Sequence, residues 1–352
     1  MLAVYGGLFS IFLLYISPLR GTKKSKCILI FLFLFLISAI KSVPANSDLR
    51  NYVHLYSICL ENSFGDLFHA YLNGTIKDWG FCAIARVFGL AGLSEQIWMV
   101  FIAAVFAAAC AWFIYKYSDE PYMSLLLVMA LYFSFTLSGL RQTMALACLL
   151  ICFHWIAERK LLPYLLTLVI AALFHSTALI FLPAYWFARM KIGWKQPVIV
   201  AVALVFVNVF PDVFRAMIGW LFEDTYLEYY ETRTASLSWS GFVIQLFVLA
   251  FCVVFRWIYL QNVGKRSTNM KQIDMMLNLM VVGLALQSFS TVVAECFRSS
   301  YYYSMFCIAA VPNVIVETTR GKNKLITNAL TGICLLLYML WSRQYFNFVY
   351  FW

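Results

Sequence analysis

Runs of roughly 16–22 apolar residues recur along the chain, parted by short links that carry most of its lysines and arginines. A helix needs about 20 such residues to cross the ~30 Å hydrocarbon core of a bilayer. In lipid every backbone N–H and C=O must be paired within the structure, so only helices or closed barrels can span. Barrel strands would show short alternating segments, and none is present. Composition agrees: 63% of residues are hydrophobic and 12% charged, against about 45–50% and about 25% in ordinary soluble domains. The expected fold is all-α and polytopic, one transmembrane domain over 1–352.

Spans are predicted at roughly 2–17, 27–42, 95–115, 122–138, 140–157, 196–211, 239–260, 272–294, 299–318 and 325–341. The run 161–188, "LLPYLLTLVIAALFHSTALIFLPAYWFA", is too long for one straight span, since it would reach ~42 Å. Charge decides how it is counted. If it is a short helical hairpin turning near His175, about two thirds of the basic residues fall in cytoplasmic links, as the positive-inside rule requires. These links surround Arg20 to Lys26, Lys116, Arg159, Arg189 to Lys195, Arg256 to Lys271 and Arg320 to Lys324. If it is one span, every later link flips outward. The hairpin reading gives twelve membrane helices with both termini outside. Two outer loops follow, 43–94 with short helices and 212–238, the latter carrying the acidic, aromatic stretch "FEDTYLEYYETR".

The net charge of +10 sits in the links and forms no basic patch interleaved with aromatics, so no nucleic-acid partner is expected. Ten cysteines show no CxxC or Cys/His metal spacing and read as small packing residues. Cys59 and Cys82 share one extramembrane loop, which leaves a disulfide open. "MLAVYGGLFSIFLLYIS" lacks a basic n-region and reads as a span rather than a secretory leader. No phosphate-binding glycine loop, dinucleotide fingerprint, HExxH or GxSxG motif occurs. No pair of outward acids has DxD-like spacing. Neither a cofactor nor a metal is therefore expected.

Polar residues at the non-cytoplasmic ends of spans are the candidate site. Arg141, with Gln142 beside it, heads an apolar run; arginine suits bidentate recognition of phosphate or carboxylate, and an interfacial anchor is the competing reading. Arg298 poses the same choice. Tyr301 and Tyr302 follow it at i+3 and i+4 on the same helical side, either as an aromatic belt or as a sugar platform. His175 stands at the expected helix break, and histidine is the residue type best suited to act as a general base at neutral pH. His54, His69 and His154 receive no role.

Several segments resemble the EpsG family, a branch of the Wzy-type polysaccharide and O-antigen polymerases. "FSFTLSGLRQTMALACLLICFHWIAERKLLPYLLTLVIAALFHSTALIFLPAYWF" carries the central block: Leu140-Arg141-Gln142, Ala145, Ala172, Phe174-His175-Ser176 and Leu182-Pro183. "SDLRNYVHLY" is similar to the family's early Asp…Tyr element, at Asp48, Tyr52 and Tyr56, and "FRSSYYYSMF" to its late Arg…Tyr element, at Arg298, Tyr301 and Tyr302. The resemblance implies a GT-C-like glycosyltransferase of the bacterial inner membrane with its active site facing the periplasm. Such an enzyme moves a growing glycan from undecaprenyl diphosphate to the non-reducing end of an undecaprenyl-diphosphate-linked repeat unit. It implies lipid-linked oligosaccharide as donor and acceptor, and a flippase and a chain-length regulator as partners. On this reading His175, Arg141 and Arg298 are catalytic, and Gln142, Tyr301, Tyr302, Asp48 and Tyr52 bind substrate. Two rivals remain: an O-antigen ligase, and a flippase or transporter of lipid-linked oligosaccharide.

Overall fold

The computed structural model describes Gly7 and residues 21–40, 47–222, 239–263, 268–293 and 296–342. Among these residues there are helices and turns but no strand. Among the described residues five helices are long and apolar enough to cross a membrane, or six if one bent pair counts as a single span. The protein is an all-helical polytopic membrane protein. Apart from Gly7, the expected span 2–17 lies outside the described residues, as does the 223–238 part of the second loop.

Two compact units are formed, one by 1–182 with 315–352 and the other by 183–314. In the first, α1 (Lys23–Ala39) begins at Thr22, whose hydroxyl accepts from the Ser25 N–H at 3.2 Å. The expected loop 43–94 contains α2 (Ser47–Glu61), α3 (Phe64–Leu72) and α4 (Trp79–Leu90). Ser63 and Asp66 close a capping box on α3, satisfying two N–H groups that a helix start leaves bare. These short helices form a cap whose core joins Leu49, Tyr56, Phe81 and Trp98 to Leu140 and Met144. At the C-terminus of α2, where carbonyls lack partners, Arg86 donates to those of Cys59 and Leu60.

The long helix α5 (Glu95–Tyr117) packs between α1 and α8 (Leu140–Ala157). Between them the expected span 122–138 breaks at Tyr132 into α6 (Pro121–Leu131) and α7 (Phe133–Thr136). Gly139 then leads into α8; a Cβ there would lie 2.5 Å from the Phe135 ring. The run 161–188 does turn at His175. α9 (Leu161–Phe174) ends there, a 3₁₀ helix follows over Ser176–Phe181, and the Tyr164 hydroxyl donates to the carbonyls of Phe181 and Leu182 at 2.5 and 3.2 Å. The second arm therefore folds back along the first.

The second unit holds α10 (Ala184–Phe187), α11 (Lys195–Val209), α12 (Pro211–Phe222), α13 (Ser240–Val263), α14 (Thr268–Phe289) and α15 (Cys296–Ser304), and α16 (Cys307–Thr318) leads out of it. α11 and α12 meet at a 95° bend. Three expectations are corrected here. The span 196–211 ends at this bend. The span 272–294 stops at Phe289, because Ser288, Ser290 and Thr291 turn their hydroxyls back onto nearby carbonyls at 2.6–2.7 Å and so compete with the helical ladder. The span 299–318 is two helices, α15 and α16, the second interrupted in its ladder by Pro312, which has no N–H to donate.

Finally α17 (Gly321–Ser342) returns to the first unit against α6, with Lys324 Nζ 2.5 Å from Glu120 Oε1. Burial sorts the long helices. In α8 and α14 67% of the apolar window is buried, but in α13 and α17 only 17%. Phe247, Trp257, Leu337 and Trp341 thus stand on open apolar faces, a surface suited to hydrocarbon rather than water.

Candidate active site

The cap presents Asp78 to the ends of α8 and α9. Asp78 precedes α4 as an N-cap residue would, yet its side chain makes no bond to its own helix. Its backbone is left-handed, with φ of 62°, a conformation that aspartate tolerates better than most residues with a Cβ. Two residues on, Gly80 lets α4 lie close against α9. A Cβ there would fall 2.8 Å from Leu173 Cβ and 2.9 Å from the Leu173 carbonyl oxygen. This approach delivers the carboxylate to the break in 161–188.

Three donors converge on that carboxylate. Arg141 Nη1 donates to Asp78 Oδ2 at 3.0 Å, His175 Nδ1 lies 3.0 Å from the same oxygen, and the Ser176 N–H donates to Oδ1 at 2.9 Å. Asp78 therefore caps the 3₁₀ helix rather than α4. The Asp78 side chain is 1% exposed, whereas those of Arg141 and His175 are 29% and 19% exposed. The carboxylate is the buried hinge of the clasp, and the two cations or donors face outward from it.

The electrostatics are explicit. Burial pushes the Asp78 carboxyl up, but the His175 hydrogen bond and charge, the Arg141 guanidinium and the Ser176 N–H outweigh it and hold the carboxyl below its ordinary range. Arg141 sits in the first turn of α8, where no acidic residue stands and where the helix dipole disfavours a cation. Asp78 supplies the compensating charge from another helix. With its Nδ1–H given to Asp78, His175 keeps a lone pair on Nε2, the tautomer a general base requires. With neutral His175 the Asp78–Arg141 pair carries no net charge; with protonated His175 the site carries one positive charge.

The other expected residues are distributed as follows. Gln142 is buried in α8, and Tyr52 is half-buried on α2, 5.7 Å edge-on from Phe81 of α4. Asp48 is exposed in the first turn of α2. The carboxylate of the clasp is Asp78, a residue that nothing in "TIKDWG" singles out, because its partners lie 63 and 97 residues away. In the second unit Arg298 is exposed on α15, its guanidinium 5.9 Å from the Phe297 ring, and Tyr301 is half-buried edge-on to that ring at 5.4 Å. Tyr302 instead points into the core and is fully buried, so the shared surface expected for Arg298 and Tyr302 is not formed. Beneath α15, Gln245 donates to Gln287 at 2.9 Å and to Ser300 at 3.0 Å, tying three helices together. Among the described residues no three His, Cys, Asp or Glu side chains are grouped as metal ligands.

Among known protein families, the EpsG family matches residues 25–351. No match was found among curated proteins or solved structures.

Proposed function

Since this chain belongs to the EpsG family, a Wzy-like polymerase family, we propose that it polymerises lipid-linked oligosaccharide repeat units into a surface polysaccharide. In this reading the fold is GT-C-like with twelve membrane helices, and the cap lies on the periplasmic face of the inner membrane. The donor is a growing glycan on undecaprenyl diphosphate and the acceptor is the non-reducing end of a newly delivered unit. The observation that carries it is the clasp: one buried carboxylate holds a guanidinium and an imidazole within 3.0 Å of the same oxygen, with both side chains partly open.

His175 Nε2 takes the proton of the acceptor hydroxyl as that oxygen attacks the anomeric carbon. The bond to the diphosphate oxygen breaks, and the lipid diphosphate leaves from the opposite face, so the linkage inverts in one displacement. Asp78 orients His175 and stabilises its protonated form. Arg141 carries positive charge toward the leaving group, and protonation of His175 during the reaction makes the site cationic just as the diphosphate gains charge. No metal enters this scheme. Arg298 and Tyr301, in the second unit, are proposed separately as a surface for a sugar phosphate, from an exposed guanidinium beside aromatic rings.

The reading is tested by reconstituting wild-type protein, Arg141→Ala and His175→Ala with undecaprenyl-diphosphate-linked repeat units. Wild type is expected to build a ladder of products. Removing one group that stabilises transition-state charge lowers rate by about 10²–10³-fold. Normal ladders from both folded variants would overturn the assignment. Transfer to lipid A core but never to repeat units would make the protein a ligase.

A further inference from the structure

In the first unit α1 and α5 lie antiparallel. The Gln96 side chain, at the start of α5, donates to the Ala39 carbonyl at the end of α1 at 3.0 Å; at the other end Lys23 Nζ lies 6.0 Å from the centre of the Tyr115 ring. Toward that second end the seam opens into a groove of about 400 Å³. Lys24, Cys27 and Phe31 of α1 line it, facing Ala108, Ala111 and Trp112 of α5. Spacings of three, four and seven residues keep each set on one helical stripe. Cys27, Ala108 and Ala111 are too small to fill the space between the Phe31 and Trp112 rings, so an apolar recess remains, following roughly 10 Å of helix from Phe31 to Lys24. The cations gather at the Lys24 end. Lys23 and Lys24 open α1, where the helix dipole disfavours positive charge and no acidic residue stands in the first turn. Lys116, one turn beyond Trp112, is held 5.5 Å from the centre of the Trp112 ring and 3.0 Å from His154 Nδ1. His154 stands in the last turn of α8, which puts this end roughly 20 Å along that helix from Arg141 and the clasp.

We propose that this groove binds one anionic glycerophospholipid, with its phosphate on Lys24 between Lys23 and Lys116 and one acyl chain laid against Cys27, Ala108 and Ala111. An apolar recess closed at one end by lysines selects a ligand that has both parts. A zwitterionic lipid carries the same chains, but its own cation opposes the lysines. A free phosphate meets the lysines but gains no apolar contact. Attraction between lysines and anionic headgroups fades within a Debye length, so the three cations act on a phosphate held at the mouth of the groove. The site rests on the packing of α1 against α5 and is independent of the glycan reaction.

The test titrates the full chain in detergent with dioleoyl phosphatidylglycerol or dioleoyl phosphatidylcholine, with and without inorganic phosphate, and counts bound lipid by native mass spectrometry. Phosphatidylglycerol is expected to bind first and tighter, and inorganic phosphate at equal concentration is expected not to displace it. Lys24→Gln should weaken phosphatidylglycerol about fivefold, the worth of one lysine beside an anionic headgroup, and leave phosphatidylcholine unchanged. Ala108→Phe, at an exposed position in the groove, should weaken both lipids. Lys271→Gln, at an exposed lysine of the second unit, should weaken neither. Equal binding of the two lipids, wild-type affinity in both groove variants, or an equal loss in Lys271→Gln would overturn the proposal. Tighter binding of undecaprenyl phosphate through Lys24 would give the groove to the carrier lipid and would also overturn it.

Discussion

Arg141 in the first unit and Arg256 in the second are both arginines of apolar helices paired with an aspartate, and the two pairs are built differently. Arg256 meets Asp274 through Nε to Oδ1 at 2.5 Å and Nη2 to Oδ2 at 3.3 Å, both residues being under a tenth exposed and 18 positions apart. Such a pair sets the register of α13 on α14 and offers little surface to a ligand. Arg141 reaches Asp78 across 63 positions, stays partly open, and shares its carboxylate with His175. A buried bidentate pair with local partners is a structural device. A carboxylate divided between two partly open groups leaves the outer faces of those groups accessible to a ligand.

The comparison breaks most sharply at Asp78. In Asp78→Asn the amide NH₂ can donate to His175 Nδ1, which turns the imidazole to the tautomer with no lone pair on Nε2, and Arg141 loses its counter-charge. Chain extension is expected to fall about 10²–10⁴-fold, the range for loss of general acid–base catalysis. Stability carries a pH signature. Because the Asp78 carboxyl is held below 3.8, its contribution is complete above that value and is lost as pH falls through the lower, folded value. The gap in thermal midpoint between wild type and Asp78→Asn should therefore be constant near neutrality and narrow below pH 3.8. A gap that persists in acid, or a variant that extends chains at the wild-type rate, removes Asp78 from the site.

At the closed pair the effect falls on stability instead. Asp274→Ala strands a buried guanidinium and is expected to destabilise by about 3–5 kcal/mol. The double variant Arg256→Met with Asp274→Leu should recover most of this, since an apolar pair of similar volume is often neutral or better. Thermal melts in detergent measure both, and the double variant should extend glycans like wild type. Loss of activity in a stable double variant would mean that the closed pair also serves the reaction.

What the sequence disclosed follows the range of each interaction. α5, α8, α13 and α17 are visible because lipid demands a long apolar run, and that demand is local. Arg141 is visible because a guanidinium, with Gln142 beside it, heads such a run, and His175 because it divides a run too long for one span. Asp78 is invisible, since an aspartate before a helix already has an ordinary explanation as a cap, and its true partners come from packing of α4 on α9. The same distinction separates Tyr301 from Tyr302. Helical spacing puts both near Arg298 in angle, but the depth of each is set by how α15 meets α14. The hydroxyl run after Gln287 ended α14 early because side chains bonded backbone, an effect that apolar counting ignores.

The smallest effect belongs to Asp48, another aspartate of the cap, and it sharpens the contrast between the two carboxylates. Asp48 is exposed in the first turn of α2, where a negative charge interacts favourably with the helix dipole by about 0.3–1 kcal/mol. Asp48→Asn removes that charge but keeps the polar side chain, so a stability change of about 0.5 kcal/mol or less is expected, with chain-extension rates unchanged. Measured beside Asp78→Asn under one assay, the pair separates a carboxylate that helps a helix begin from one that joins three parts of the fold: the cap, the head of α8 and the turn after α9. A large rate loss in Asp48→Asn with an intact melt would show that the exposed start of α2 meets substrate, and would widen the site from the clasp to the face of the cap.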